Sequence, residues 1–242
     1  MPVTLCFDFG NTRKKCAVLD NTTLKEVITI ENDLPETIQS LIDQHHPSKS
    51  ILSSVIDHNL AIEEILASKT KFHKLSHLSK IPITTPVSKP QTIGADRLAL
   101  SAAAVHLYPQ KNNLVIGLGT CITYNFINKF HEFMGGGISP GMEMRLKALN
   151  YYTAKLPLVT PDDNVPLIGY DTNTNILSGV VIGMAKEIDG FIDVYAEKYG
   201  NFNVLLTGGD IVYLASHLKN KIFADSDLIF KGLYAISEAN NY

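Results

Sequence analysis

Val3-Thr4-Leu5-Cys6-Phe7-Asp8-Phe9-Gly10-Asn11-Thr12 is the stretch that decides the fold. Its apolar opening, residues 3–7, predicts a buried first strand. Gly10 lets the backbone turn tightly and approach a ligand closely. Asn11 and Thr12 offer an amide and a hydroxyl suited to phosphate oxygens. Asp8, at the strand end, can hold a divalent ion or the water around it. Cys16-Ala17-Val18-Leu19 then looks like a returning strand. The whole predicts a phosphate-cradling β-hairpin rather than a loop running into a helix.

A second hairpin of the same design begins near the middle. Leu114-Val115-Ile116 is an apolar strand, Gly117-Leu118-Gly119-Thr120 turns it, and residues 121–126 return with alternating character. Aligning Gly10 with Gly119 sets Asp8 opposite Gly117. Two related strand–turn–strand units predict two similar α/β halves, with a nucleotide between them. Asp-x-Gly-Asn also occurs in ordinary hairpin turns, where Asn and Gly supply unusual backbone angles. The repeat, together with further glycine signals downstream, favours the ligand-binding interpretation.

Composition narrows the function classes. The 242 residues allow one large domain or two small ones, and 45% apolar content suits a globular core. A net charge of −3 without a basic block points away from nucleic acid and acidic membrane. The three cysteines, Cys6, Cys16 and Cys121, have no paired spacing and are expected as reduced thiols in strands. Cys6 and Cys16 are possible neighbours across the first hairpin. With no charged leader and no bilayer-length apolar run, the expectation is a cytoplasmic protein that binds no membrane.

Further along, residues 24–30 predict a third strand, 35–45 a helix and 50–55 a strand ending in hydroxyls. A helix over 57–67, capped by Asp57 or Asn59, and a short strand at 71–75 follow. Pro82, Pro86 and Pro90 mark an irregular connection. A helix runs from 98 to 107, and 108–113 is the expected hinge. The second half continues with a strand near 130–134, a glycine-rich loop over 135–141 and a helix over 142–150. After a loop at 160–171 come one long helix over 176–199, a buried strand at 204–206 and a last helix over 227–240. The expected division is therefore residues 1–110 and 111–242.

Several groups could carry chemistry. Asp96 and Arg97 stand at a helix start, where the carboxylate can accept a proton and the guanidinium can bind an anion bidentately. A capping Asp beside a surface Arg is the plainer alternative. The glycines of 135–141 could aim amides at an anion or simply form a tight turn. Thr207-Gly208-Gly209 ends a buried strand at the ligand edge of an α/β sheet. The scattered histidines suggest structural roles. No Ser-His-Asp spacing, Walker A loop or Rossmann fingerprint is present.

These motifs, in order, resemble the type III pantothenate kinases of the acetate and sugar kinase/Hsp70/actin superfamily. The resemblance rests on residues 8–12 with Lys15, Ser53-Ser54-Val55, Gly94-Ala95-Asp96-Arg97, Gly119-Thr120 and residues 136–141. It continues through Lys155-Leu156-Pro157, Thr172, Ser178-Gly179 and Thr207-Gly208-Gly209. It implies an α/β fold of two ribonuclease-H-like halves and ATP-dependent phosphorylation of pantothenate, the first step of coenzyme A synthesis. Asp96 would be the general base. Asp8, Phe9, Gly10, Asn11, Thr12, Arg13, Lys14 and Lys15 would hold ATP, with Thr120, Gly208 and Gly209. Gly94, Ala95, Asp96, Arg97, Thr172 and the position of Val87 would contact pantothenate. Magnesium at Asp8, a monovalent cation (potassium or ammonium) and a homodimer are also implied.

Two positions depart from the family pattern. Gly117 stands where an Asp usually serves the monovalent cation, and Val87 stands where a Tyr usually lines the pantothenate pocket. They leave a ligand-binding regulatory factor with little or no turnover as the alternative.

Overall fold

The computed structural model describes residues 2–86 and 89–241. The chain divides into two compact units. One comprises Met1–Pro109, His131–Phe133 and Asp227–Tyr242; the other comprises Gln110–Phe130 and Met134–Ser226. The final helix thus belongs with the first unit, whereas the sequence groups it with the second half.

In the first unit, β1 (Val3–Phe9), β2 (Lys14–Asp20), β3 (Thr23–Ile30), β4 (Lys49–Ser54) and β5 (Lys71–Lys74) form a sheet in the order β3-β2-β1-β4-β5. β1 pairs antiparallel with β2 and parallel with β4. Successive side chains of a strand point to opposite faces, and both faces here are apolar. Leu5, Phe7 and Phe9 meet helix α1 (Pro35–His45) and helix α2 (Ala61–Lys69) on one side. Cys6, Ala17 and Ile51 meet helix α3 (Ala95–Leu107) and the C-terminal helix on the other. Cys6 and Cys16 therefore face opposite cores and are free thiols.

The second unit repeats the plan. β6 (Asn113–Leu118), β7 (Cys121–Ile127), β8 (Phe133–Pro140), β9 (Asn203–Gly208) and β10 (Phe223–Ala224) form a sheet in the order β8-β7-β6-β9-β10. β6 pairs antiparallel with β7 and parallel with β9, as β1 does with β2 and β4. One face packs on helix α4 (Met142–Tyr151), helix α5 (Thr172–Leu177) and helix α6 (Gly183–Tyr199). Helix α7 (Ile211–Leu214) follows β9, and helix α8 (Leu228–Asn240) ends the chain.

Three expectations are corrected. Residues 135–141 are mostly strand, because edge pairing with β7 holds them extended; Gly135 and Gly136 take φ of 97° and 156°. The helix expected over 57–67 starts only at Ala61, whose N–H donates to the Asn59 side chain at 3.0 Å. The helix expected from 176 begins at Thr172, because Asp171 and Thr174 form a capping box that sequence inspection overlooked. It passes through a π-helical turn, Ser178–Ile182, before α6.

Candidate active site

The best-defined chemistry in the first unit lies at the C-terminal ends of β1 and β4. Asp8 is paired with Lys15 of β2 and with Ser53 of β4. These three positions extend the rows of Cys6, Ala17 and Ile51, so they lie on the face that α3 covers. α3 brings Asp96 near enough for its negative charge to raise Asp8. Gly94, the N-cap of α3, lies against Val55, just beyond β4.

The carboxylates are held in an unusual electrostatic state. Burial pushes the Asp8 carboxyl up to about 7, and the negative charge of Asp96 adds to this. The Lys15 ammonium and the nearby Ser53 hydroxyl pull it partly back. Burial also raises Asp96, offset by the Arg97 N–H and guanidinium and by its own N–H. Those amides are first-turn donors that a helix leaves without internal partners. A side chain on Gly94 would overlap the Asp96 carboxylate, so glycine is what lets the carboxylate fold back over the helix start. The Arg97 guanidinium lies 5.4 Å from the centre of the Phe133 ring, a cation–π distance. Two buried carboxylates with raised proton affinity, one of them shifted by the charge of the other, are a signature of acid–base and cation-binding sites.

The remaining members of the first motif separate by role. Gly10 donates its N–H to the Arg13 carbonyl at 3.1 Å and closes the turn, leaving Asn11, Thr12 and Arg13 exposed. Lys14 is ion-paired with Asp33 at 3.1 Å. Phe9, expected among the ATP contacts, buries its ring completely between Phe7 and His58. As the next strand residue after Asp8, it has to point the other way. Behind it, His58 bridges the Ser54 hydroxyl at 3.1 Å and the Glu63 carboxylate at 2.9 Å. The Ser54 hydroxyl donates to the Ile56 carbonyl, so this chain of groups fastens the β4–α2 connection.

In the second unit, Gly119 and Thr120 form the tight turn between β6 and β7. The Gly141 N–H donates to the Thr120 carbonyl at 3.0 Å and is not aimed at an anion. Gly208, at φ 111°, lies against the Leu118 carbonyl, while a side chain on Gly209 would meet open space. Thr172 is exposed at the first turn of α5. Gly117 is paired with Thr123 and Thr207. The Asn125 amide donates to the Thr123 hydroxyl at 3.2 Å and to the Val115 carbonyl at 3.3 Å. Val87 lies outside the described residues.

Among the described residues, no group of three or more His, Cys, Asp or Glu could enclose a metal ion. Asp8 instead suits magnesium, which is typically bound by one or two carboxylates together with phosphate oxygens and water. Sequence inspection singled out Asp8 and Asp96 separately but not their proximity. Ser53, quoted within the family motif but given no role there, has a fully buried hydroxyl with no hydrogen-bond partner among the described residues. The hydroxyls ending β4 were the available signal. Among the described residues, no helix is long and apolar enough to cross a membrane.

A family model described as type III pantothenate kinase matches residues 4–194. A relative from Christiangramia forsetii with that name is 42% identical over 241 residues, covering 98% of this chain and 99% of its own. Two solved structures are similar in fold. One, from Campylobacter jejuni and assigned to the Baf family of transcriptional activators, has a TM-score of 0.62 at 23% identity and covers 98% of each chain. The other, a glucokinase from an Antarctic psychrotroph, has a TM-score of 0.52 at 12% identity, with 98% and 99% covered.

Proposed function

Because the chain belongs to the type III pantothenate kinase family, we propose that it transfers the γ-phosphoryl group of ATP to the primary hydroxyl of pantothenate. The product is 4'-phosphopantothenate, and the reaction opens coenzyme A synthesis. The observation that carries this reading is the Asp8–Asp96 pair at the end of β1 and the start of α3.

Asp96 takes the proton of the pantothenate hydroxyl as its oxygen attacks phosphorus. Burial raises its proton affinity above that of an ordinary aspartate, which suits a general base. Arg97, beside it, binds the pantothenate carboxylate, and Thr172 supplies a further hydroxyl to the substrate. Asn11, Thr12 and Lys15 face the phosphates; Lys14 is already occupied by Asp33. Thr120, Gly208 and Gly209 serve the nucleotide. Asp8 would hold magnesium, which would offset phosphate charge, as in phosphoryl transfer generally. A monovalent cation near Gly117 would rest on neutral oxygens, with Thr123 and Thr207 adjacent in the sheet.

We further propose a cytoplasmic homodimer. The second unit leaves Ile138, Tyr151, Tyr152, Leu167, Ile168 and Tyr170 well exposed, and Ile138 lies on the edge strand β8. Apolar residues at a sheet edge are a common site of association. Light scattering should return twice the mass of one chain.

The decisive test is coupled ADP release with and without pantothenate, in potassium or sodium, with the product identified by mass. Pantothenate-dependent turnover is expected. ATP consumption indifferent to pantothenate, with no phosphorylated product, would overturn the proposal.

A further inference from the structure

Resting on that kinase reading, we infer that Ser53 is a positioning residue for phosphoryl transfer. Its hydroxyl at the end of β4 fixes the Asp8 carboxylate of β1 in the orientation that receives the nucleotide's phosphates and its cation.

The first support is an anomaly of hydrogen bonding. Ser53 is 0% exposed, and its Oγ has no partner among the described residues. Other buried serines of the same unit are satisfied. Ser50 Oγ lies 2.6 Å from Thr70 Oγ1, Ser101 Oγ donates to the Arg97 carbonyl at 2.7 Å, and Ser237 Oγ accepts from Asn241 at 2.8 Å. A buried hydroxyl without a partner lowers stability, so a serine retained there for folding alone would be a poor solution.

The second support is placement. Ser53 is the parallel-ladder partner of Asp8, so the two side chains leave the sheet on the same face. The hydroxyl lies near enough to the Asp8 carboxylate to favour its ionised form, yet its present geometry falls short of a hydrogen bond. Rotation of either side chain would close that bond and hold Asp8 in the orientation in which its carboxylate would receive a cation and phosphates. An ionised carboxylate is a strong acceptor for a buried O–H donor. Ser53 then touches neither substrate; it acts through Asp8.

Two properties that ordinarily move together should separate in Ser53→Ala. The ligand-free variant should melt at or a few degrees above wild type, because an unsatisfied hydroxyl is removed. Its kcat should fall about tenfold or more, as expected for a misplaced catalytic group. The magnesium concentration for half-maximal rate should rise several-fold, and the pantothenate KM should stay within about twofold. The melting shift induced by magnesium and ATP should shrink. Ser53→Thr keeps the hydroxyl and should restore most of kcat. Ser53→Cys, close in size but a weak donor, should resemble alanine and replaces any variant that fails to fold. Wild-type kcat and magnesium dependence in folded Ser53→Ala would overturn the inference. So would a lowered ligand-free melting temperature with equal losses in every kinetic constant. Wild type without pantothenate-dependent turnover would instead count against the kinase reading, and the melting shifts with magnesium and ATP would still judge Ser53.

Discussion

Asp8 and Asp96 hold protons more tightly than ordinary aspartates, and this has consequences for stability as well as catalysis. Asp8 is raised from 3.8 to about 7, so folding favours its neutral form. Its contribution to stability is full below its ordinary value and is lost as pH rises through about 7. Asp8→Asn, which cannot ionise, should match the ligand-free wild type near pH 4 and melt higher by pH 8. Each kcal/mol of relief is worth roughly 2–4 °C in a chain of this size. A melting difference constant across that range would contradict the electrostatic account. For Asp96, substitution by Asn preserves size and some hydrogen bonding but cannot take a proton. Turnover should fall roughly 10²–10⁴-fold, while pantothenate binding measured by calorimetry changes little. Near-normal turnover would remove Asp96 from the role of base. The places of both aspartates were legible in the sequence, one at a strand running into glycine and the other at a helix start. Spacing alone favours a plain capping role for Asp96, and the family resemblance supplied its proposed one. The burial of Phe9 and the pairing of Ser53 with Asp8 were not legible, because a contiguous motif hides the alternation that turns Phe9 into the core and Ser53 toward Asp8.

Among the elements, those with strong periodicity were the most legible: α1 spans residues 35–45 as expected. The glycine run was misjudged for a physical reason. Glycines at 135–137 suggest a loop when only propensity is considered, yet the missing side chain at Gly136 is what admits β8 against β7. A Cβ on Gly136 would overlap the Tyr124 carbonyl, a backbone atom that cannot swing away. Gly136→Ala should therefore cost roughly 1–3 kcal/mol or more through overpacking. Urea unfolding should show a lower midpoint with an unchanged slope. Midpoints equal to wild type would show that β8 can shift at little cost. The capping box at Asp171 illustrates the opposite limitation, since its signal was present but lay inside a stretch resembling a proline- and aspartate-rich loop.

Across the whole molecule, duplication is the main organising fact, and the two hairpins made it legible from the start. The sheets share one strand order and one pattern of parallel and antiparallel pairing. The excursion of α8 back to the first unit was not legible, because no local signal says which core a terminal helix will cover. Within the duplicated frame, Asp8 and Gly117 occupy equivalent places: each precedes the last residue of its central strand, and each is paired with a hydroxyl residue, Ser53 or Thr207. The first sheet shows that a carboxylate is compatible with this backbone position. The second has only neutral oxygens there, and the Thr123 hydroxyl already accepts from Asn125. A neutral oxygen attracts a cation less than a full charge at the same distance. Potassium activation of the wild type should therefore be weak. Gly117→Asp should lower the potassium concentration for half-maximal activity, and enclosure of the new carboxylate would strengthen its demand for a counter-charge. The measurement is a potassium titration of both proteins at fixed magnesium and ionic strength. Equal, tight activation in the two would mean that neutral oxygens alone build a sufficient site, and that the lost carboxylate had no energetic consequence.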